Sequence, residues 1–292
     1  MNKAGISVLS ILSFALLVSS CKEQSSHNGH EYVDLGLSVK WATCNVGAQS
    51  PEDYGEYYAW GETTAKTIYT LKGYRFRASG DAPYNAKFSK YDTDDKLGPF
   101  NKKVLEPADD VANVKWGGNW RMPTKEEIEE LNWNCDWVWT TLNGVNGIKI
   151  TSKVEGYTDR SIFLPAAGYW TDSRQLFAGE SGEYWSGTKS MSEASAHHLY
   201  FDQDGSALDN TIVDYISELF YCDDDEVEST INELPQSLAD QLRKYRYSGK
   251  ANLDSIPESI YNEYRSYLSA QDLDVVYGNL RFSGLTVRPV CP

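Results

Sequence analysis

Few side chains in this sequence can move a proton near neutral pH. The four histidines are His27, His30, His197 and His198, and imidazole is the ordinary side chain that titrates in that range. His27 and His30 lie in a polar stretch near the N-terminus. His197 and His198 are neighbours in the run His197-His198-Leu199-Tyr200-Phe201, which reads as a short strand, so their rings point to opposite faces. A Ser–His–acid triad would need one of them beside a nucleophile, and no Gly-x-Ser-x-Gly turn accompanies them. Glycoside cleavage needs two carboxylates flanking a sugar. With 42 acidic residues, the presence of carboxylates decides nothing. Asp172, Glu180, Glu183 and Asp202 fall in expected loops and read as solvated surface charge. Metal chemistry has no better foothold, because there is no Cys-x-x-Cys and no cysteine–histidine spacing of a zinc site. Asp223-Asp224-Asp225-Glu226 lacks the glycine turn and spaced ligands of a calcium loop, and reads as the negative start of a helix. No cofactor, no metal and no catalytic residue are expected.

The aromatic residues offer a different chemistry. Tyr57, Tyr58, Trp60, Tyr169, Trp170, Tyr184 and Trp185 could stack on a sugar or a peptide. The competing reading is core, since tryptophan in a domain of this size is mostly buried. Tyr169-Trp170 follows Gly168 and precedes Thr171 to Gly182, a stretch rich in Gly, Ser and acids that reads as an exposed loop. Tyr169, Trp170, Tyr184 and Trp185 are therefore the candidate ligand-binding residues.

Short strands and few helices must position them. Asp136 to Leu142 alternates, with Trp137 and Trp139 on one face and Val138 on the other. Asn143-Gly144 then separates it from Ile148-Lys149-Ile150, a strong hairpin signal because both turn positions favour positive φ. Ser161 to Ala167 reads as a buried strand. Thr124 with Glu127 three residues on is a capping box, so a helix starts after Pro123. On that helix Ile128 and Leu131 form the apolar stripe, and Lys125, Glu126, Glu129 and Glu130 are expected to face water. All nine tryptophans lie between Trp41 and Trp185. From 209 to 279 the texture changes to fifteen acidic and five basic residues, with apolar residues at helical spacing, such as Ile212, Ile216 and Leu219, then Val227, Ile231, Leu234, Leu238 and Leu242, then Ile260, Tyr264 and Leu268. Three short helices are expected there, with breaks or starts at Leu234-Pro235 and Ile256-Pro257. Leu280 to Val290 returns to strand-like alternation.

The N-terminus addresses the chain. Lys3, an apolar run from Ile6 to Val18 and Val18-Ser19-Ser20-Cys21 resemble a secretory signal closed by a bacterial lipobox, with Cys21 acylated by palmitate and related chains. The run is too short to span a bilayer as a lasting helix, which takes about 20 residues. Residues 1–20 are then signal peptide and 21–29 a solvated tether, which places the protein in the cell envelope as an outer-membrane lipoprotein. Lys22-Glu23 matches in part the surface-export signal of Bacteroidetes lipoproteins. The net charge of −15 becomes −16 once Lys3 is removed, which argues against nucleic acid as a partner.

Six ordered blocks carry a family resemblance: Tyr32 to Ala48, Tyr54 to Thr63, Trp120 to Glu127, Phe163 to Gly168, Tyr184 to Thr188 and Gly284 to Val290. They resemble the Fibrobacter succinogenes major paralogous domain family of Bacteroidetes envelope proteins. Arg121-Met122-Pro123-Thr124 and Gly284 to Arg288 are also similar to the C-type-lectin-like and formylglycine-generating-enzyme-like group. The resemblance implies an α+β domain over 30–208, closed by a final strand in 280–292 beside the first, with 209–279 an acidic helical insertion. It also implies a Cys44–Cys291 disulfide, whereas the cysteines alone allow several pairings; Cys135 reads as a buried free thiol. The late cysteines do not match the formylglycine-generating pattern, and the calcium-dependent sugar-binding strings of the lectins are absent. The function expected is a lipid-anchored binding or scaffolding module for a glycan or a surface protein. The alternative is an envelope hydrolase or modifying enzyme.

Overall fold

The computed structural model describes residues 25–92, 102–190, 192–206, 234–246 and 278–292, together with positions 228, 231, 232, 257, 259, 260 and 263. The signal segment, Cys21, Cys222, the 223–226 acidic run and the expected helix around 212–220 lie outside these residues. The fold is a mixed α+β arrangement of short strands and few short helices.

The chain opens with β1 (Ser26–His27), β2 (His30–Val33) and β3 (Lys40–Ala42). β1 pairs with β2 through a turn at Asn28 (φ 46°) and Gly29 (φ 82°), so residues 26–29 belong to a hairpin and not to the solvated tether expected over 21–29. The reason is the Asn-Gly turn chemistry itself. A small hairpin, β4 (Arg77–Ser79) and β5 (Lys87–Phe88), comes next. Helix α1 (Val111–Trp116) starts at Asp110, whose carboxylate accepts the backbone N–H groups of Ala112, Asn113 and Met122. Helix α2 (Lys125–Asn134) has the capping box of Thr124 and Glu127, and Glu127 also holds Arg121. Lys125 and Glu129 depart from expectation. Both are buried and lie 3.9 Å apart. The Lys125 N–H donates to Thr188 Oγ1, so the helix is covered on the side where its sequence is charged. Glu130 is half-buried, accepting from Ser38.

Strands β6 (Cys135–Leu142), β7 (Val145–Ser152) and β8 (Ser161–Pro165) form an antiparallel meander. Its first turn is Asn143 (φ 49°) and Gly144 (φ 86°), and Val138 is exposed opposite the half-buried Trp137 and Trp139. A hairpin of β9 (Tyr169–Thr171) and β10 (Arg174–Leu176) follows. Then β11 (Ser181–Lys189) pairs with β12 (Ser195–Asp202). β13 (Gly205–Ser206) and β14 (Gly278–Leu280) both pair with β12, so the chain on either side of the expected 209–279 insertion meets the body on that one strand. Within it, α3 (Gln236–Arg246) begins just after Pro235, where the sequence places a break.

The last segment closes the molecule. β15 (Val290–Cys291) pairs with β3, which adds the last strand to the N-terminal sheet in the order β1-β2-β3-β15. Between β14 and β15 the backbone also bridges Trp170, Tyr58, Tyr184 and Arg121. Two arginines of this segment are fully buried, with no carboxylate partner among the described residues. Arg288 donates to Asn45 Oδ1 (2.8 Å) and to the carbonyls of Ala42, Thr43 and Phe163. Arg281 donates to the carbonyls of Lys90, Tyr91 and Glu193 and to Tyr74 Oη, with Trp60 and Phe88 against its guanidinium plane at 4.8 and 4.5 Å. Burial lowers the Arg288 pKa to about 10, which still leaves it charged at neutral pH.

The implied Cys44–Cys291 disulfide does not form; Cys44, Cys135 and Cys291 are all free. The register explains it. Cys291 sits opposite Lys40, four residues from Cys44. β3 ends at Ala42, so Cys44 lies outside the β3–β15 pairing that places Cys291. Cys135 is the buried thiol expected, and burial pushes its pKa up to about 12.

Replacing either arginine by methionine should lower unfolding free energy by on the order of 3 kcal/mol, because several buried carbonyls lose their donor together. Lysine should not rescue, since one ammonium cannot span the acceptors. Urea titration checks this, and a loss under ~1 kcal/mol for both methionine variants would contradict the role assigned.

Candidate functional site

The β11–β12 ladder decides which expected residues reach solvent. Its register sets Glu183 opposite Tyr200, Tyr184 opposite Leu199 and Trp185 opposite His198. Alternation then puts Glu183, Trp185, His198 and Tyr200 on one face, and Tyr184, Leu199 and Phe201 on the other. Gly182 is required on the second face, because a Cβ there would meet the Phe201 ring at 2.1 Å.

Tyr184 and Trp185 cannot receive a ligand, contrary to expectation. They are 2% and 0% exposed. The Tyr184 hydroxyl donates to the Pro165 carbonyl (2.6 Å), and its ring stacks with Phe201. The Trp185 indole donates to the Tyr58 carbonyl (2.7 Å). β11 is buried from Ser181 to Thr188, so aromatic character there serves packing. Thr171 to Gly182 is not a loop either. It contains the β9–β10 turn at Asp172 (φ 50°), the whole of β10 and the start of β11. Trp170 is half-buried, exchanges both backbone hydrogen bonds with Gly284 and packs its ring edge-on to Tyr57. Asp172 bridges to Tyr69.

Tyr169 does border open space. A cleft of about 600 Å³ is walled by the rings of Trp139, Tyr169, Phe177 and Tyr200. Phe177 is 54% exposed and stacks on Tyr169. Four carboxylates line the same cleft: Glu180, Glu183, Asp202 and Asp204. Three of these read as solvated loop charge in the sequence. Asp202 instead accepts from the Tyr200 hydroxyl (3.1 Å) and the Asp204 N–H (2.9 Å), which fixes the rim. The Asn146 amide donates to the Gly179 carbonyl across the mouth.

Glu183 is the residue that sequence reasoning missed. It is only 5% exposed. Its Oε2 accepts from Asn279 Nδ2 (2.7 Å) and lies 3.5 Å from His198 Nε2. Among the described residues its Oε1 has no partner. Burial pushes its pKa up to about 7, against the pull of the Asn279 amide. The available signal was one acid between Gly182 and an aromatic strand run. His197 is buried on the opposite face of β12 from His198. A second cleft, about 430 Å³, includes Val33, Leu142 and Phe163 and has Lys149 as its one charged lining residue. Among the described residues no group of three or more His, Cys, Asp or Glu side chains is placed to hold a metal ion.

The first cleft can therefore offer aromatic faces and carboxylate acceptors together. Chemically that suits a ligand with flat apolar patches and many hydroxyl or amine donors.

The Glu183 shift has a thermodynamic consequence. The folded protein holds this proton up to about pH 7, whereas the ordinary value is 4.5. Between those values the folded state binds more protons, so stability falls as pH rises through the window. Glu183→Gln removes the titration. Relative to the native chain, the variant should gain about 2–3 kcal/mol between pH 5 and pH 8. Asp110, also pushed up by burial to about 6, tilts both proteins alike and cancels in the difference. Urea unfolding at the two pH values measures it; a difference independent of pH would refute the buried carboxylate.

Comparison with family models, with curated proteins and with solved structures finds no match for this chain.

Proposed function

We propose that this chain is a lipid-anchored cell-envelope protein whose C-type-lectin-like module binds a glycan in the cleft beside Glu183 without turning it over. The observation that carries the reading is the cleft itself, where aromatic rings and carboxylates line one concave surface. Sugar rings present C–H patches to aromatic faces and hydroxyls to carboxylates, and protein sites for them combine the two. The lectin-like assignment and the paralogous-domain family membership are supported by the pairing of the last strand with the N-terminal sheet and by the chain on either side of the expected insertion meeting one strand. Anchoring rests on the lipobox at Cys21. A surface protein is the other partner class, with the acidic insertion as its contact.

A hydrolase is the second reading, and one observation favours it. A carboxyl group held near pH 7 in a cleft is suited to protonate a leaving group. Against this, Asp202 already accepts two hydrogen bonds, which suits it to shaping the rim more than to activating water.

Calorimetry and a glycan array on the chain from residue 22 onward test the choice. Binding without product release is expected, and Tyr169→Ala and Tyr200→Ala should each weaken it roughly tenfold, in line with ~1–3 kcal/mol per stacked ring. Turnover on a hydrolase panel that disappears in Glu183→Gln would transfer the protein to the enzyme reading. Cys21→Ser in the full chain should abolish acyl labelling and move the protein out of the membrane fraction. A variant that stays membrane-bound would remove the lipid anchor from the proposal.

A further inference from the structure

Resting on the glycan reading, we infer that the cleft selects sugars bearing a free amine and rejects those bearing a carboxylate, with Glu183 as the residue that distinguishes them. The lining charge is one-signed. Glu180, Glu183, Asp202 and Asp204 border the cleft, and among the described residues no Lys, Arg or His lines it, His198 lying behind Glu183 at 3.5 Å. Like charges gathered on a low-dielectric wall focus a field that attracts cations and repels anions.

Glu183 adds a specific contact to that field. Its burial removes it from water, and Asn279 and His198 serve only Oε2. Oε1 is left as an acceptor without a partner among the described residues, in a side chain that borders the cleft. An acetamide or a hydroxyl meets this oxygen with one neutral donor. An ammonium group meets it with charge and three donors, and charge-assisted bonds are about twice as strong as neutral ones. The rings of Trp139, Tyr169 and Tyr200 reinforce the preference, because their faces attract cations and stack on the sugar body. A carboxylated sugar meets the reverse: three like charges at the walls, and at Glu183 a carboxyl whose ionised form an ammonium favours and a second carboxylate disfavours. Asp202 keeps the negative potential in place, since its oxygens are held by Tyr200 and Asp204 and cannot swing away.

The test uses three β-1,4-linked tetramers that differ only in the group carried on each ring: glucosamine, N-acetylglucosamine and glucuronic acid. Calorimetry with the same chain near neutral pH compares them. The amine tetramer should bind about tenfold more tightly than the acetamide one, and the acid tetramer about tenfold more weakly. In Glu183→Gln the amine-to-acetamide ratio should collapse toward one. Equal affinity for the three, a preference for the acid, or a ratio unchanged by Glu183→Gln overturns the inference while leaving the glycan reading standing. Failure of all three tetramers to bind, together with an empty glycan array, overturns both.

Discussion

The structure depends on one unusual solution to a familiar problem, which is how to bury a positive charge. Arg281 and Arg288 enter the core on the final segment with no carboxylate among the described residues to meet them, and they are satisfied by oxygens from three and two separate stretches of chain respectively. An unpaired guanidinium in an apolar interior costs far more than one hydrogen bond returns. The cost is offset only when the whole cage is assembled. For Arg288 that means the ends of β3 and β8 are in place together. For Arg281 it means the Lys90–Tyr91 turn, the Glu193 loop and the Trp60 ring have converged. The closing segment is thereby the element that makes otherwise independent hairpins cooperative.

This explains why local features were readable and the functional ones were not. The Asn143-Gly144 turn, the Thr124–Glu127 cap, the alternation of Trp137, Val138 and Trp139, and the helix start after Pro235 are each fixed by a few neighbouring residues, and all four stand in the structure. The meeting of the last strand with the N-terminal sheet was implied by family resemblance and also holds. What failed were inferences that needed register or layer. The disulfide failed because the position of Cys44 outside the β3–β15 pairing is invisible without the register. Trp185 and Tyr184 failed because a strand covered on both faces has no outward side to advertise. Lys125 and Glu129 look solvent-facing by helical periodicity, yet they are covered by packing that comes from β11, sixty residues away. At β1 the error ran the other way. Polar composition suggested a loose tether, while Asn28-Gly29 carried the same turn signal that was read correctly at 143–144.

The same layering produced the candidate site. Glu183 is forced inward by strand alternation, since it shares a face with Trp185, whose indole is anchored to Tyr58. The fold could have excluded an acid there. Instead it supplies Asn279 and His198 to one oxygen, and burial raises the pKa against the pull of the Asn279 amide. Thr286 of the closing segment donates its hydroxyl to the Glu183 carbonyl and its own carbonyl receives the Trp185 N–H. The backbone that carries the carboxylate is thus held by the segment that carries Arg281 and Arg288.

That coupling reaches the insertion. Both of its stems rest on β12, and each touches the cleft from a different side: Gln203 and Asp204 line the rim just before β13, and Asn279 in β14 bonds Glu183 directly. A ligand group that reaches Glu183 therefore alters the electron density that Asn279 donates into, and Asn279 is one residue inside the strand where the insertion rejoins the body. Binding and the seating of the second stem share a single carboxylate. On the proposed reading, a ligand group at Glu183 and the seating of β14 would bias each other by the same free energy.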